Sequence, residues 1–216
     1  MEARGEFDSV VHEPDDEVVR ETNVYQFMQR HDIEDVDELR RRSTADLEWF
    51  WDELVDTLDV EFYEPYDQVH DDSDAPQFSE WYQGGTINIA HNVVDRHAAR
   101  TADARNDTAC IWEGEDGEVR ELSYQRLYRE TNRVANALTD LGVGVGDTVG
   151  VFMPMVPEAI SAIYGILKVG AVVVPMFSGF GSDSLATRID DAGCSVLLTA
   201  DGFYRRGDPI PMKATA

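Results

Sequence analysis

Arg205 and Arg206 stand side by side in the stretch TADGFYRRGD of a chain whose formal net charge is -25. A guanidinium presents a planar fork of donors that suits phosphate or carboxylate oxygens, and one charge-assisted bond of that kind contributes about 1.5–3 kcal/mol. The pair lies in a glycine-bounded turn after the apolar run SVLLTA, with Asp201 and Asp208 close by in sequence. Two readings stand: a clamp for an anionic ligand, or a surface pair balanced by those aspartates. Within an acidic field, a doubled positive charge also draws an anion to one place.

A second candidate is PMFSGFGSDS, which follows the apolar run AVVVPM. Gly179 and Gly181 permit close backbone approach and unusual dihedrals. The loop leads into a predicted helix N-terminus, where free N–H groups and the dipole favour anions. The third glycine of the dinucleotide fingerprint is missing, and a plain strand-to-helix turn is the other reading. No catalytic set is visible: there is no Ser/His/Asp arrangement, no Walker loop and no Cys/His pair in a supporting context. The histidines at 12, 31, 70, 91 and 97 have no zinc spacing, and His70 with Asp71, Asp72 and Asp74 reads as an acidic loop rather than a metal site. Cys110 and Cys194 lie in apolar strand-like runs and read as reduced core thiols.

The elements around these loops alternate. Ser123 is placed to cap a long helix carrying Leu127, Val134, Leu138 and Leu141, which Gly142 stops. TVGVFMP reads as a buried strand, and Pro157 opens a second helix that closes at Gly170. AVVVPM, a third helix from about Asp183 to Ala192, and SVLLTA complete the series. Strand–helix alternation implies right-handed crossovers and a parallel sheet with helices on its faces. Ligands of such sheets bind beyond the carboxyl ends of the strands, where both candidate loops fall. Upstream, Cys110–Trp112 and Val119–Leu122 read as a hairpin about the turn GEDGE, and a helix runs through Val93 and Val94. From Val24 to about Val60 the pattern is helical, with a start at Ser43-Thr44-Ala45-Asp46 and the aromatics Trp49, Phe50 and Trp51 as packing groups. HDDSDAP is a polar loop.

Composition bounds the setting. With 43% apolar and 10% aromatic residues, the 216-residue chain can bury a core. No apolar run spans a membrane, and the acidic N-terminus lacks a signal pattern, so a cytoplasmic protein is expected. Asp and Glu total 43 against 18 Lys and Arg, and the lysines are Lys168 and Lys213 alone. Such a surface repels nucleic acid and anionic lipid. The aspartate-rich, lysine-poor balance resembles that of proteins from salt-loving microbes, in which high ionic strength screens self-repulsion.

Three segments carry a family likeness: WYQGGTINIAHNVVDRH, the long run ELSYQRLYRE through ATRIDDAG, and TADGFYRRG. Together, over about residues 78–213, they resemble the AMP-forming acyl-CoA synthetases, and most of all their acetyl-CoA synthetase branch. The resemblance implies a helical N-terminal extension followed by the first βαβαβ part of an adenylate-forming α/β domain. The expected organisation is an acidic mobile tail over 1–23, the helical extension over 24–77 and a partial AMP-binding domain over 78–216. It implies a ligase that activates a small carboxylate with ATP and Mg2+, forms an acyl-adenylate and transfers the acyl group to CoA. Ser178 and Gly179 would then sit by CoA, with Arg205 and Arg206 at its nucleotide phosphates.

Some residues depart from the family pattern. Gln83 stands where proline usually precedes the two glycines, Ser178 where glycine is common, and Asp208 where Lys or Arg often follows Gly207. An aspartate there weakens a phosphate clamp. The family's phosphate loop, acyl pocket, acidic catalytic groups and catalytic lysine fall after the last residues, PMKATA. The expectation is therefore a chain with no catalytic residue and no metal ligand of its own, holding at most CoA, inactive alone, and completed if at all by a complementary C-terminal synthetase chain. A non-catalytic CoA-binding or subunit-association module, or a gene remnant, is the alternative.

Overall fold

The computed structural model describes residues 12–99, 101 and 104–216. Two compact units meet in sequence at Gly85 and Thr86.

The first unit begins with four helices: α1 (Asp16–Glu21), α2 (Asn23–Arg30), α3 (Val36–Ala45) and α4 (Leu47–Thr57). The expected tail 1–23 falls partly outside the described residues, and α1 lies within it. Each of the next three helices has a side-chain cap, which satisfies an N–H that the first turn leaves open. Thr22 accepts from the Tyr25 N–H, Asp35 from Glu38 and Asp46 from Trp49. The helix start expected within Ser43-Thr44-Ala45-Asp46 falls at its last residue, Asp46, the N-cap of α4, whereas Ser43 and Thr44 belong to the last turn of α3, where their hydroxyls donate back to the Arg40 carbonyl. A hydroxyl that can reach its own helix backbone serves the end of a helix as readily as the start of one. Phe27, Met28 and Ile33 form the buried centre, with Leu39, Trp49 and Phe50 packed on it. Trp51 packs edge-on against Trp81, centroids 5.6 Å apart.

Part of the stretch read as a polar loop is instead a strand. β1 (Gln68–Asp71) pairs antiparallel with β2 (Glu80–Gln83), His70 opposite Trp81. The two ring centroids lie 4.3 Å apart at a tilt of 40°, so an aromatic contact across the ladder holds a polar sequence in extended form.

The second unit opens with a π-turn over His91–Asp95 that continues into α5 (Arg96–Ala99). β3 (Thr108–Glu113) and β4 (Val119–Ser123) form the expected hairpin. Then come α6 (Tyr124–Asp140), β5 (Thr148–Phe152), α7 (Pro157–Lys168), β6 (Val172–Pro175), α8 (Ser182–Ala192) and β7 (Val196–Thr199). The Ser123 hydroxyl caps α6 by accepting from the Arg126 N–H at 3.3 Å. Leu127, Thr131, Ala135 and Leu138 form its buried stripe, whereas Leu141, at the C-cap, is 68% exposed.

The sheet is parallel with order β6-β5-β7. All of Val149–Phe152 in central β5 is buried, as a strand covered on both faces requires. Residues alternate between the faces. Val149 and Val151 join Leu138 and Ile166, with Val173, Val196 and Leu198 alongside. Phe152 joins Met176 and Leu185 in a second cluster with Val174 and Leu197. The result is the expected α/β layering, with helices on both faces of the sheet.

Candidate functional site

Because β5, β6 and β7 run parallel, the segments after them leave at one edge. The register sets this directly: Val151 pairs with Pro175, the last residue of β6, and Phe152 with Thr199, the last of β7. The Ser178–Gly179 loop follows β6 and the Arg205–Arg206 turn follows β7. Both candidate loops therefore emerge at the carboxyl edge, one on each side of the exit of β5.

The loop after β6 is a tight turn in which the Phe180 N–H donates to the Phe177 carbonyl at 3.0 Å. Ser178 is half-buried and Gly179 exposed. Of the two freedoms that glycine permits here, unusual dihedrals are not used by Gly179 or Gly181; neither is left-handed. Gly179 serves space instead, since a Cβ there would come within 2.6 Å of the Phe177 ring. Gly181 is the N-cap of α8 and supplies no side-chain bond to its first turn, where Asp183 sits.

The arginines lie on a hairpin that local pattern did not reveal. β8 (Phe203–Arg205) pairs with β9 (Asp208–Ile210), Arg205 opposite Asp208. The central residues Arg206 and Gly207 have φ of 55° and 83°. Positive φ at both positions matches the right-handed twist of the flanking strands, and glycine meets half of that demand without a Cβ penalty. The base is held by close approach and burial. A Cβ on Gly202 would meet the Ile210 carbonyl at 2.5 Å, and Met212, opening α9 (Met212–Thr215), is 1% exposed. Phe180 and Phe203 pack on the same cluster of Phe152, Met176, Leu185 and Met212, so one apolar body seats both loops.

Arg205 and Arg206 are exposed, and among the described residues neither guanidinium has a hydrogen bond or an ion pair. Neither Asp201 nor Asp208 closes on them as a balancing partner. The anion-binding capacity of the forks is thus free.

The β3–β4 hairpin reaches the same edge, which sequence reasoning did not anticipate. The Trp112 indole N–H donates to the Met155 carbonyl, just beyond β5, at 2.6 Å. At the hairpin tip, Glu115 Oε2 accepts from the Gly207 N–H at 3.4 Å. Arg120 anchors the hairpin from its other strand by pairing with Glu158 in the first turn of α7, and its guanidinium lies over the Trp112 ring. Burial raises the Glu158 carboxyl, but the bond from Arg120, the helix N–H and the nearby positive charge outweigh it and hold the group below its usual range. The Arg120 guanidinium is raised in return, first by its bond to Glu158. No local signal in GEDGE marks Glu115, because its contact is 92 residues away.

Cys110 and Cys194 are free, half-buried thiols that pack on different clusters. Among the described residues no group of three or more His, Cys, Asp or Glu is placed to hold a metal ion, and no helix is long and apolar enough to cross a membrane. An apolar groove of about 420 Å³ is lined by Val93, Cys110, Ile111, Tyr124, Ile160 and Tyr164 among others.

Comparison with known proteins aligns with this geometry. Residues 94–215 match the family of AMP-binding enzymes, and residues 36–93 match the acetyl-coenzyme A synthetase N-terminus. An acetyl-coenzyme A synthetase of Methanothrix soehngenii is 39% identical over 94% of the chain and 30% of its own length. A 3-hydroxypropionyl-coenzyme A synthetase of Sulfurisphaera tokodaii is 39% identical over 82% of the chain and 26% of its own. Among solved structures, acetoacetyl-CoA synthetase from Streptomyces lividans superposes with a TM-score of 0.83 at 29% identity, covering 94% of this chain and 32% of that one. The chain thus spans about 30% of the length of such relatives.

Proposed function

The chain belongs to the AMP-binding enzyme family, and from that premise we propose that it is the coenzyme-side portion of an AMP-forming acyl-CoA ligase, contributing to the transfer of a short carboxylate, activated with ATP, to CoA. Arg205 and Arg206 would hold the phosphate end of CoA, with the Ser178–Gly179 loop beside the coenzyme. CoA brings the thiol that takes up the acyl group. The chain's own part is to bind, orient and attract a polyanion within a field of formal charge -25. One observation carries the reading: two guanidinium groups, free of partners among the described residues, stand at a carboxyl edge whose two loops rest on one apolar cluster.

The acid-rich, lysine-poor composition supports a setting in concentrated salt. A second reading, association with a complementary synthetase chain, draws on the apolar groove and on the outer edges of β6 and β7, each paired only with β5 among the described residues.

Calorimetric titration with CoA tests the coenzyme reading. The double variant Arg205→Gln/Arg206→Gln should bind about tenfold more weakly, or worse, as expected for losing charge-assisted bonds. Equal affinity in variant and parent, or no binding by the parent at millimolar CoA, overturns it.

A further inference from the structure

The turn that carries the arginines already holds an anion, and that anion belongs to the protein. In a two-residue hairpin turn the central N–H groups lie outside the ladder and need an acceptor from elsewhere. Gly207 finds one in Glu115 Oε2, at 3.4 Å, from the tip of the β3–β4 hairpin. That tip is itself well formed. The Gly114 N–H donates to the Glu118 carbonyl at 2.8 Å, and Asp116 accepts from the Glu118 N–H at 3.0 Å. Farther down, Trp112 and Arg120 tie the hairpin to Met155 and Glu158. The carboxylate is thus presented by an anchored element rather than by a loose loop.

We propose that Glu115 is an affinity-setting residue: its carboxylate occupies the anion position of the Arg205–Gly207 turn and competes with the phosphate group that the turn would otherwise bind. The inference rests on the CoA reading above and adds to it a second, opposing residue. Two carboxylates thus stand at the turn, Asp208 opposite Arg205 in the strand pair and Glu115 on the Gly207 N–H, and neither of them pairs with a guanidinium, so their charges offset those of the arginines only through the shared field. A ligand phosphate must displace Glu115 from the Gly207 N–H and then share the field of the arginines with it. Neutralising Glu115 frees the N–H and leaves the turn with a net positive charge. The gain is that of one exposed charge contact, up to about fivefold in Kd. Because a charged turn is screened by ions more than a balanced one, binding by the variant should also fall more steeply with salt.

The experiment compares CoA titrations of the full chain, Glu115→Gln, Glu121→Gln and the double arginine variant, with the Gly207 amide resonance followed in each. Glu121 lies exposed on β4 and removes the same charge from the same hairpin without touching the turn. Tighter binding by E115Q alone, with the Gly207 amide shifted before ligand is added and moving again at lower CoA than in the parent, supports the proposal. Unchanged affinity of E115Q, or the same gain in E121Q, overturns it while leaving the coenzyme reading intact, provided the double arginine variant has lost affinity. If that variant binds like the parent, or if neither the parent nor E115Q binds, the coenzyme reading fails and this inference fails with it.

Discussion

Glu158 shows how one residue joins two jobs. It lies in the first turn of α7, where the helix dipole and open N–H groups favour negative charge, and it receives the Arg120 guanidinium that positions the β3–β4 hairpin. Its folded-state carboxyl is held below the usual glutamate range. A depressed carboxylate contributes stability that is fully present above the unfolded pKa of about 4.3 and is lost as pH falls through the lower folded value. Glu158→Gln should therefore melt below the parent protein at pH 7, and the gap should close as the pH is lowered past about 4. Melting curves from pH 7 to 3 check this; a gap independent of pH would show that packing, not charge, sets the contribution. Lys168, one of two lysines in the chain, is used in a similar way: its ammonium pairs with Asp95 at 2.6 Å and ties the end of α7 to the π-turn.

At the scale of elements, α6 and α7 pack closely through a single glycine. A Cβ at Gly165 would lie 2.5 Å from Val134 Cγ1 and 2.7 Å from its Cβ. Alanine would add about 1 kcal/mol of helix propensity, but overpacking of a close contact costs about 1–3 kcal/mol. Gly165→Ala should lower the melting temperature by a few degrees, and Val134→Ala in the same chain should restore part of it. No recovery in the double variant would place the strain elsewhere. The helices α6 to α8 and the parallel strands were legible because their signals are local: Ser123 before α6, Pro157 at the start of α7, Gly193 with φ of 62° after α8. The short antiparallel pairs were not. In β1 the tilted ring contact of His70 with Trp81 overrides a polar loop pattern, and in β8–β9 strands of three residues are too short for periodicity.

For the whole molecule, the formal charge of -25 comes from an excess of Asp and Glu, and most of those among the described residues are exposed. Self-repulsion of that kind weakens as the Debye length falls from about 10 Å at 0.1 M salt to about 3 Å at 1 M. The melting temperature should rise by several degrees over that range of KCl; a flat profile would remove the high-salt setting from the proposed function. The same field gives two unpaired arginines their value, since an anion meets favourable potential at few places on such a surface.

Read by itself, the sequence determined the α/β layering and the family likeness and marked the two candidate loops, because propensity, capping and residue type act over a few positions. Only the tertiary structure decided that strand order β6-β5-β7 sets the two loops on either side of β5, that Phe180 and Phe203 share a cluster, and that Glu115 meets Gly207 from 92 residues away. Those are non-local pairings, fixed by the packing of the sheet and its two helical faces, and no local pattern encodes them.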